Sequence, residues 1–170
     1  MILKSIPAKI AAIEQRIEGY DKDKVRRDEN TKPNEDGFSP MQIDGVVYTE
    51  KKEAGTALLE YTKKMKSPEA VRMGSYRGFA LEMSFDHFSK EYILTMKGAL
   101  AHSTPLGTDI FGNILRLDNV LNAFDEKQIH CKEQLERERG ELENAKTEVQ
   151  KPFPREEEYR AKVKRLDELN

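Results

Sequence analysis

Phe79-Ala80-Leu81-Glu82-Met83-Ser84-Phe85 places an apolar side chain at every second position, with Ala, Glu and Ser between. Tyr92-Ile93-Leu94-Thr95-Met96-Lys97 repeats that period. A period of two belongs to a strand with one face buried. The polar stretch from Asp86 to Glu91 joins the two runs as an antiparallel pair. Gly98 to Thr104 bends into a third strand, and Pro105 to Gly112 is a turn-rich connection. Gly74, Gly78 and Gly98 read as bend or bulge glycines.

Upstream, Asn30 to Pro40 is a loop rich in Asn, Asp, Pro and Gly. Met41-Gln42-Ile43, Asp44-Gly45 and Val46-Val47-Tyr48 then read as a hairpin. Asp-Gly supplies the positive φ angles of a two-residue turn. Thr49 is the expected cap of a helix from about Glu50 to Lys66, with Ala54, Leu58, Tyr61 and Met65 as its stripe. Ser67-Pro68 ends it.

Helical patterns flank this middle portion. Leu3, Ile6, Ile10, Ile13, Ile17 and Tyr20 alternate three- and four-residue steps, a heptad seam. Ser5 can cap that helix and Pro7 suits a first turn. Helical composition runs to about Glu29, a length of roughly 35–40 Å at 1.5 Å per residue. Downstream, Asn113 can cap a helix carrying Ile114, Leu117 and Leu121. Asp125 with Gln128 forms a capping-box pattern, so the helix restarts near Phe124. Cys131, Leu135, Glu138, Leu142, Ala145 and Val149 keep the same seam spacing, with one charge in it. Lys151-Pro152-Phe153-Pro154 is a stop, and residues 155–169 carry a last helical stripe of Tyr159, Val163 and Leu166.

Neither seam can bury itself alone, since isolated helices are marginal in water. The expected class is therefore α+β. An antiparallel, coiled-coil-like stalk of two long helices (1–30 and 113–151) carries a small antiparallel-sheet-plus-helix head (31–112), followed by a C-terminal helix (152–170). The expected stalk interface is Ile6, Ile10, Ile13, Ile17, Leu135, Leu142 and Val149. It forms within one chain, or between two chains as a homodimer.

Composition narrows the function classes. Of 170 residues, 37% are hydrophobic and 35% charged, a balance that suits long helices exposing most of their surface. Seven Phe and six Tyr argue against wholesale disorder. A net charge of −2 excludes a strongly basic domain, so nucleic-acid binding needs a local patch. One cysteine, Cys131, excludes an internal disulfide and a cysteine-rich zinc site, and a reducing, cytoplasmic setting is expected. No apolar run approaches the roughly 20 residues of a membrane span, and the N-terminus lacks a signal-peptide core. No membrane partner is expected.

Catalytic motifs are sparse. Gly107-Thr108-Asp109-Ile110-Phe111-Gly112-Asn113 has the two glycines of a phosphate loop but lacks the following Lys and hydroxyl. It reads as a turn into a capped helix. His87, His102 and His130 lack metal spacing, and no metal or cofactor is expected. His102-Ser103-Thr104 near Asp109 includes triad residue types without a nucleophile elbow, and reads as a polar strand end. The carboxylates of Glu136 to Glu143 and Glu156 to Glu158 read as solvated faces. No catalytic residue is assigned. The best basic cluster is Lys63, Lys64 and Lys66 with Arg72 and Arg77, near the aromatic Tyr76 and Phe79. Such a face suits phosphate and base stacking. The lysines equally suit the negative end of a helix dipole.

Two stretches carry a resemblance. One is Gly37-Phe38-Ser39-Pro40-Met41-Gln42-Ile43-Asp44-Gly45-Val46-Val47-Tyr48-Thr49-Glu50-Lys51-Lys52-Glu53-Ala54-Gly55. The other runs from Tyr76-Arg77-Gly78-Phe79 to the Gly107–Asn119 segment. Together they resemble the C-terminal region of very large Swi/Snf-type helicases, often fused to adenine-specific DNA methylase segments, carried by conjugative elements and phages of gut Firmicutes. The resemblance covers most of the chain. The motor's phosphate-binding and acidic motifs and the methylase tetrapeptide are absent from this sequence. The resemblance thus implies a non-catalytic accessory piece of a longer chain, positioning DNA or a partner protein. The alternative is a coiled-coil interaction or oligomerisation module with no nucleic-acid contact.

Overall fold

Asp44-Gly45 does what its chemistry dictates. Asp44 has φ 52° and Gly45 φ 86°, and the turn folds β1 (Met41–Ile43) back on β2 (Val46–Tyr48). Arg77-Gly78 makes a second turn of the same kind, φ 49° and 89°, between β3 (Val71–Tyr76) and β4 (Phe79–Asp86). β5 (Glu91–Lys97) and β6 (Ala101–Leu106) complete an antiparallel sheet in the order β2-β1-β3-β4-β5-β6. Four helices accompany it: α1 (Ile2–Asn30), α2 (Lys51–Lys64), α3 (Ile110–Asn122) and α4 (Phe124–Gln150). The class is α+β. The computed structural model describes residues 2–150, and side chains from 5 to 147. The expected helix at 155–169, the stop at 151–154 and the side chains of Leu3 and Val149 lie outside the described residues.

The chain divides into two compact units, residues 14–132 and residues 1–13 with 133–170. In the larger unit the sheet buries one face. Phe79, Leu81 and Met83 of β4 and Leu94 and Met96 of β5 are fully buried, while Ala80, Glu82 and Ser84 face outward and are half-exposed. α2 contributes Ala54 and Leu58, and α3 contributes Ile114, Leu117 and Leu121. α2 packs against α3 and β1, and α3 against β6. Each such side chain taken from water stabilises by about 1.5–3 kcal/mol before conformational entropy is counted. In the smaller unit Ile6, Ile13 and Leu135 are buried, and Ile10, Glu138 and Leu142 are half-buried.

Several local expectations change. β3 is a strand that no alternation announced. Its register shifts between Arg72 and Gly74, which resets the period-two pattern. Gly74 sits there because β1 passes close: an added Cβ would lie 1.9 Å from the Gln42 carbonyl oxygen. β6 extends through Pro105 to Leu106, and proline is tolerated because β6 is a sheet edge. Thr49 does not cap α2; Glu50 holds that position without a side-chain bond, and the Thr49 carbonyl accepts from Asn34 Nδ2. α3 begins at Ile110, capped by Asp109, whose carboxylate accepts from the Phe111 N–H. Asn113, expected as the cap, is buried in the first turn and clamps Gly107 through both its N–H and its carbonyl. α1 starts at Ile2, so Ser5 is not its cap and Pro7 stands inside it.

Candidate functional site

α1 carries a carboxylate into the core of the larger unit. Asp23 is fully buried, three residues past the buried Tyr20 and so on the same helix face. It accepts hydrogen bonds from the backbone N–H groups of Ala99 (2.6 Å) and Leu100 (3.0 Å) in the β5–β6 turn. His102 Nε2 lies 2.7 Å from its second oxygen. Arg26 Nε stands 3.9 Å away. Gly98 leaves room for this: a Cβ there would come within 2.4 Å of Asp23 Oδ1 and 2.7 Å of Phe79.

His102 sits among the rings of Tyr20, Phe79 and Phe124. Burial pushes its pKa below the ordinary histidine value, and the Asp23 carboxylate offsets only part of that. The imidazole is therefore neutral at pH 7, with Nε2–H donating to Asp23. A histidine–carboxylate pair is part of a hydrolytic triad, but among the described residues no nucleophile joins it. Ser103 is on the opposite face of β6, hydrogen-bonded to Thr95 at 2.8 Å. Asp109 is occupied at the α3 cap. The structure does not bring His102, Ser103 and Asp109 together.

A second polar cluster holds the β3–β4 turn. Arg77 donates from Nη1 to Asp118 (3.1 Å), from Nε to the Thr31 hydroxyl (2.9 Å) and from Nη2 to Asn122 (3.0 Å). The Tyr76 hydroxyl donates to the same Asp118 carboxylate, and burial raises its pKa far above the phenol value. A third set joins α1 to α4 and to the end of α3. Cys131 lies close enough to Arg16 to raise the pKa of its guanidinium. Gln128 donates to the Ile17 carbonyl (2.9 Å) and to Asp21 (2.7 Å). Lys24 reaches Gln128 Oε1 (2.6 Å) and Asp125 (3.3 Å), and Arg27 donates to the Leu121 carbonyl (2.8 Å). As α1 numbers rise, their partners' numbers fall, so the two segments run antiparallel within residues 14–132. Gln128 is thus a cross-helix residue, not the capping partner of Asp125.

The five basic positions do not form one surface. Lys63, Lys64 and Lys66 are exposed at and just past the end of α2, where Lys64 pairs with Asp44 at 3.2 Å. Arg72 lies opposite Glu82 in the sheet register, on the open face. Val71, in register with the buried Met83, faces the other way. Arg77 is at the far end of β3 from Arg72, five residues on, or about 17 Å. Its guanidinium is spent on Asp118, Thr31 and Asn122. Tyr76 and Phe79 are buried and present no stacking surface.

Sequence reasoning missed Asp23 and gave Gln128 a capping role in place of its cross-helix one. The available signal was a charged or amide residue standing on the apolar stripe. Among the described residues no cluster of three metal-ligating side chains occurs, and no helix is long and apolar enough to cross a membrane. No family model, curated protein or solved structure matches this chain.

Proposed function

We propose that this chain is an accessory positioning module of a larger mobile-element DNA helicase, making contact through a partner protein. The larger enzyme is what the sequence resemblance implies. The observation that carries the positioning role is the use of polar groups on and just past α1, the buried Asp23 foremost. Asp23 binds the β5–β6 turn, and α1's end binds the β3–β4 turn through Thr31 and through Arg26, which donates to the Gly78 carbonyl. Such satisfied buried networks rigidify. A helix fastened to two sheet turns and to α4 transmits position instead of hinging.

The helix pair continues the same logic. Carrying the antiparallel step of Arg16–Cys131 and Gln128–Ile17 into the smaller unit sets Ile13 opposite Leu135 and Ile6 opposite Leu142, as a seam within one chain. Ile6, Ile13 and Leu135 are buried in that unit, which supports the pairing. A homodimer through the same seam is the competing arrangement, and sedimentation across a concentration series separates the two.

Direct DNA contact is the second reading. It draws on Lys63, Lys64 and Lys66, which are contiguous and exposed. It loses Arg77 and the aromatic surface, which is why the protein contact is preferred. Anisotropy titration of duplex and single-stranded DNA at two salt concentrations decides between them. The preferred reading expects no salt-steep binding, and charge reversal at Lys63, Lys66 and Arg72 without effect. Binding that weakens steeply with salt and is lost on those reversals would replace it with the DNA reading.

A further inference from the structure

The sheet ends at β2, and this end is open. In a two-residue hairpin the residues flanking the turn exchange both backbone hydrogen bonds. Val46 therefore spends its N–H and carbonyl on Ile43, and Val47 turns both of its groups outward. Among the described residues no backbone hydrogen bond reaches that outer edge. Val46 and Val47 are 51% and 61% exposed, so this edge strand presents apolar side chains as well as unpaired backbone groups.

Beside this edge a groove of about 730 Å³ runs between the hairpin and α2, with room for several side chains. Val46, Tyr48, Ala57 and Tyr61 form its apolar part. Glu53 and Glu60 line it from the same face of α2, two turns apart, and Glu50 stands at its end. Lys64 is already held by Asp44, which leaves Lys52 as the other cation on the rim. Among the described residues no ion pair engages Glu50, Glu53 or Glu60. Three carboxylates against one lysine give the rim a negative potential over an apolar floor.

We infer that this groove docks an extended, lysine- or arginine-bearing segment of a partner protein, added alongside β2. Backbone pairing to Val47 supplies register. Alternate side chains of the segment enter the groove, aliphatic ones against Val46 and Tyr61 and cationic ones toward Glu53 and Glu60. That is strand addition, in which main-chain bonds give affinity and pockets for alternate residues give specificity. The inference rests on the partner-protein reading above.

The test uses the full chain and a fluorescent peptide in which every second residue is valine or lysine in turn, with threonine between, so that both side-chain types share one face of the strand. Binding is followed by anisotropy, and the site by backbone amide shifts. The expected result is saturable binding with shifts confined to Val46–Tyr48 and Glu53–Lys64. Glu53→Lys with Glu60→Lys should weaken binding about tenfold without changing the fold, since both side chains are exposed. The same peptide with glutamate in place of lysine should not bind, and N-methylation of the peptide backbone should abolish binding of the lysine form. No binding at millimolar peptide, shifts elsewhere, or an affinity indifferent to the double reversal each overturns the inference. Crosslinking of the α1–α4 seam reads the positioning role separately. A seam that forms in a chain that ignores the peptide removes only the groove, and the converse removes only the positioning role.

Discussion

The two ends of the sheet treat polar groups in opposite ways. At the β5–β6 end, Asp23 is fully buried and each of its oxygens is taken up by the turn or by His102. At the β2 end, Glu53 and Glu60 stand exposed beside an unpaired strand edge. A buried carboxylate survives only where its partners are fixed in place. An exposed one with no partner among the described residues costs little to keep. The first end is built for rigidity, and the second has its chemistry unspent.

The contrast breaks most visibly at Asp23. Asp23→Ala strands two backbone N–H groups and the His102 Nε2–H in the core. Urea unfolding should show a loss of about 3–5 kcal/mol, with hydrogen exchange fastest at Ala99 and Leu100. A loss under about 1 kcal/mol would mean that the network is not structural. Gly98→Ala presses a methyl into Asp23 and Phe79 and should cost about 1–3 kcal/mol in the same assay.

His102 gives a pH-dependent version of the same test. Unfolded, its imidazole takes a proton near the ordinary value of about 6.5. Folded, burial among Tyr20, Phe79 and Phe124 delays protonation to lower pH. Between those values the unfolded chain holds more protons, so stability is full above pH 6.5 and declines as pH falls below it. Unfolding curves taken from pH 7.5 to 5 should show that decline, and it should be reduced in His102→Gln. The smallest effect belongs to the other end. Glu60→Gln should shift stability by no more than about 0.5 kcal/mol.

The contrast also explains what could be read from sequence. The β1–β2 hairpin was legible because Asp44-Gly45 is local chemistry that packing does not override. β4 and β5 were legible because Phe79 to Phe85 and Tyr92 to Lys97 are half-buried without interruption. β3 was not, since the shift between Arg72 and Gly74 hides its alternation and Gly74 is set by the approach of β1. Asp23 looks like a solvated helix residue, and Gln128 like half of a capping box, until their partners, 76 and 107 positions away in sequence, arrive. The basic cluster was read from proximity in sequence, yet strand alternation sends Arg72 to the open face, and Arg77 is consumed by Asp118. Charge in a list of residues does not reveal which charges are already answered.

The proposed α1–α4 seam has a defect that offers a test of it. Glu138, the one charge in it, has a shielded carboxylate oxygen with no partner among the described residues. Glu138→Leu should stabilise the helix pair by about 1 kcal/mol, read as a higher urea midpoint.

The positioning role stands on α1 and α4 pairing along their length within one molecule. The direct measurement is crosslinking of Ile13→Cys with Leu135→Cys in a Cys131→Ala background, at micromolar concentration with a short bismaleimide. Intramolecular closure giving monomer-sized product is the predicted result. Product that appears only as covalent dimer, or no closure in a folded chain, would contradict it.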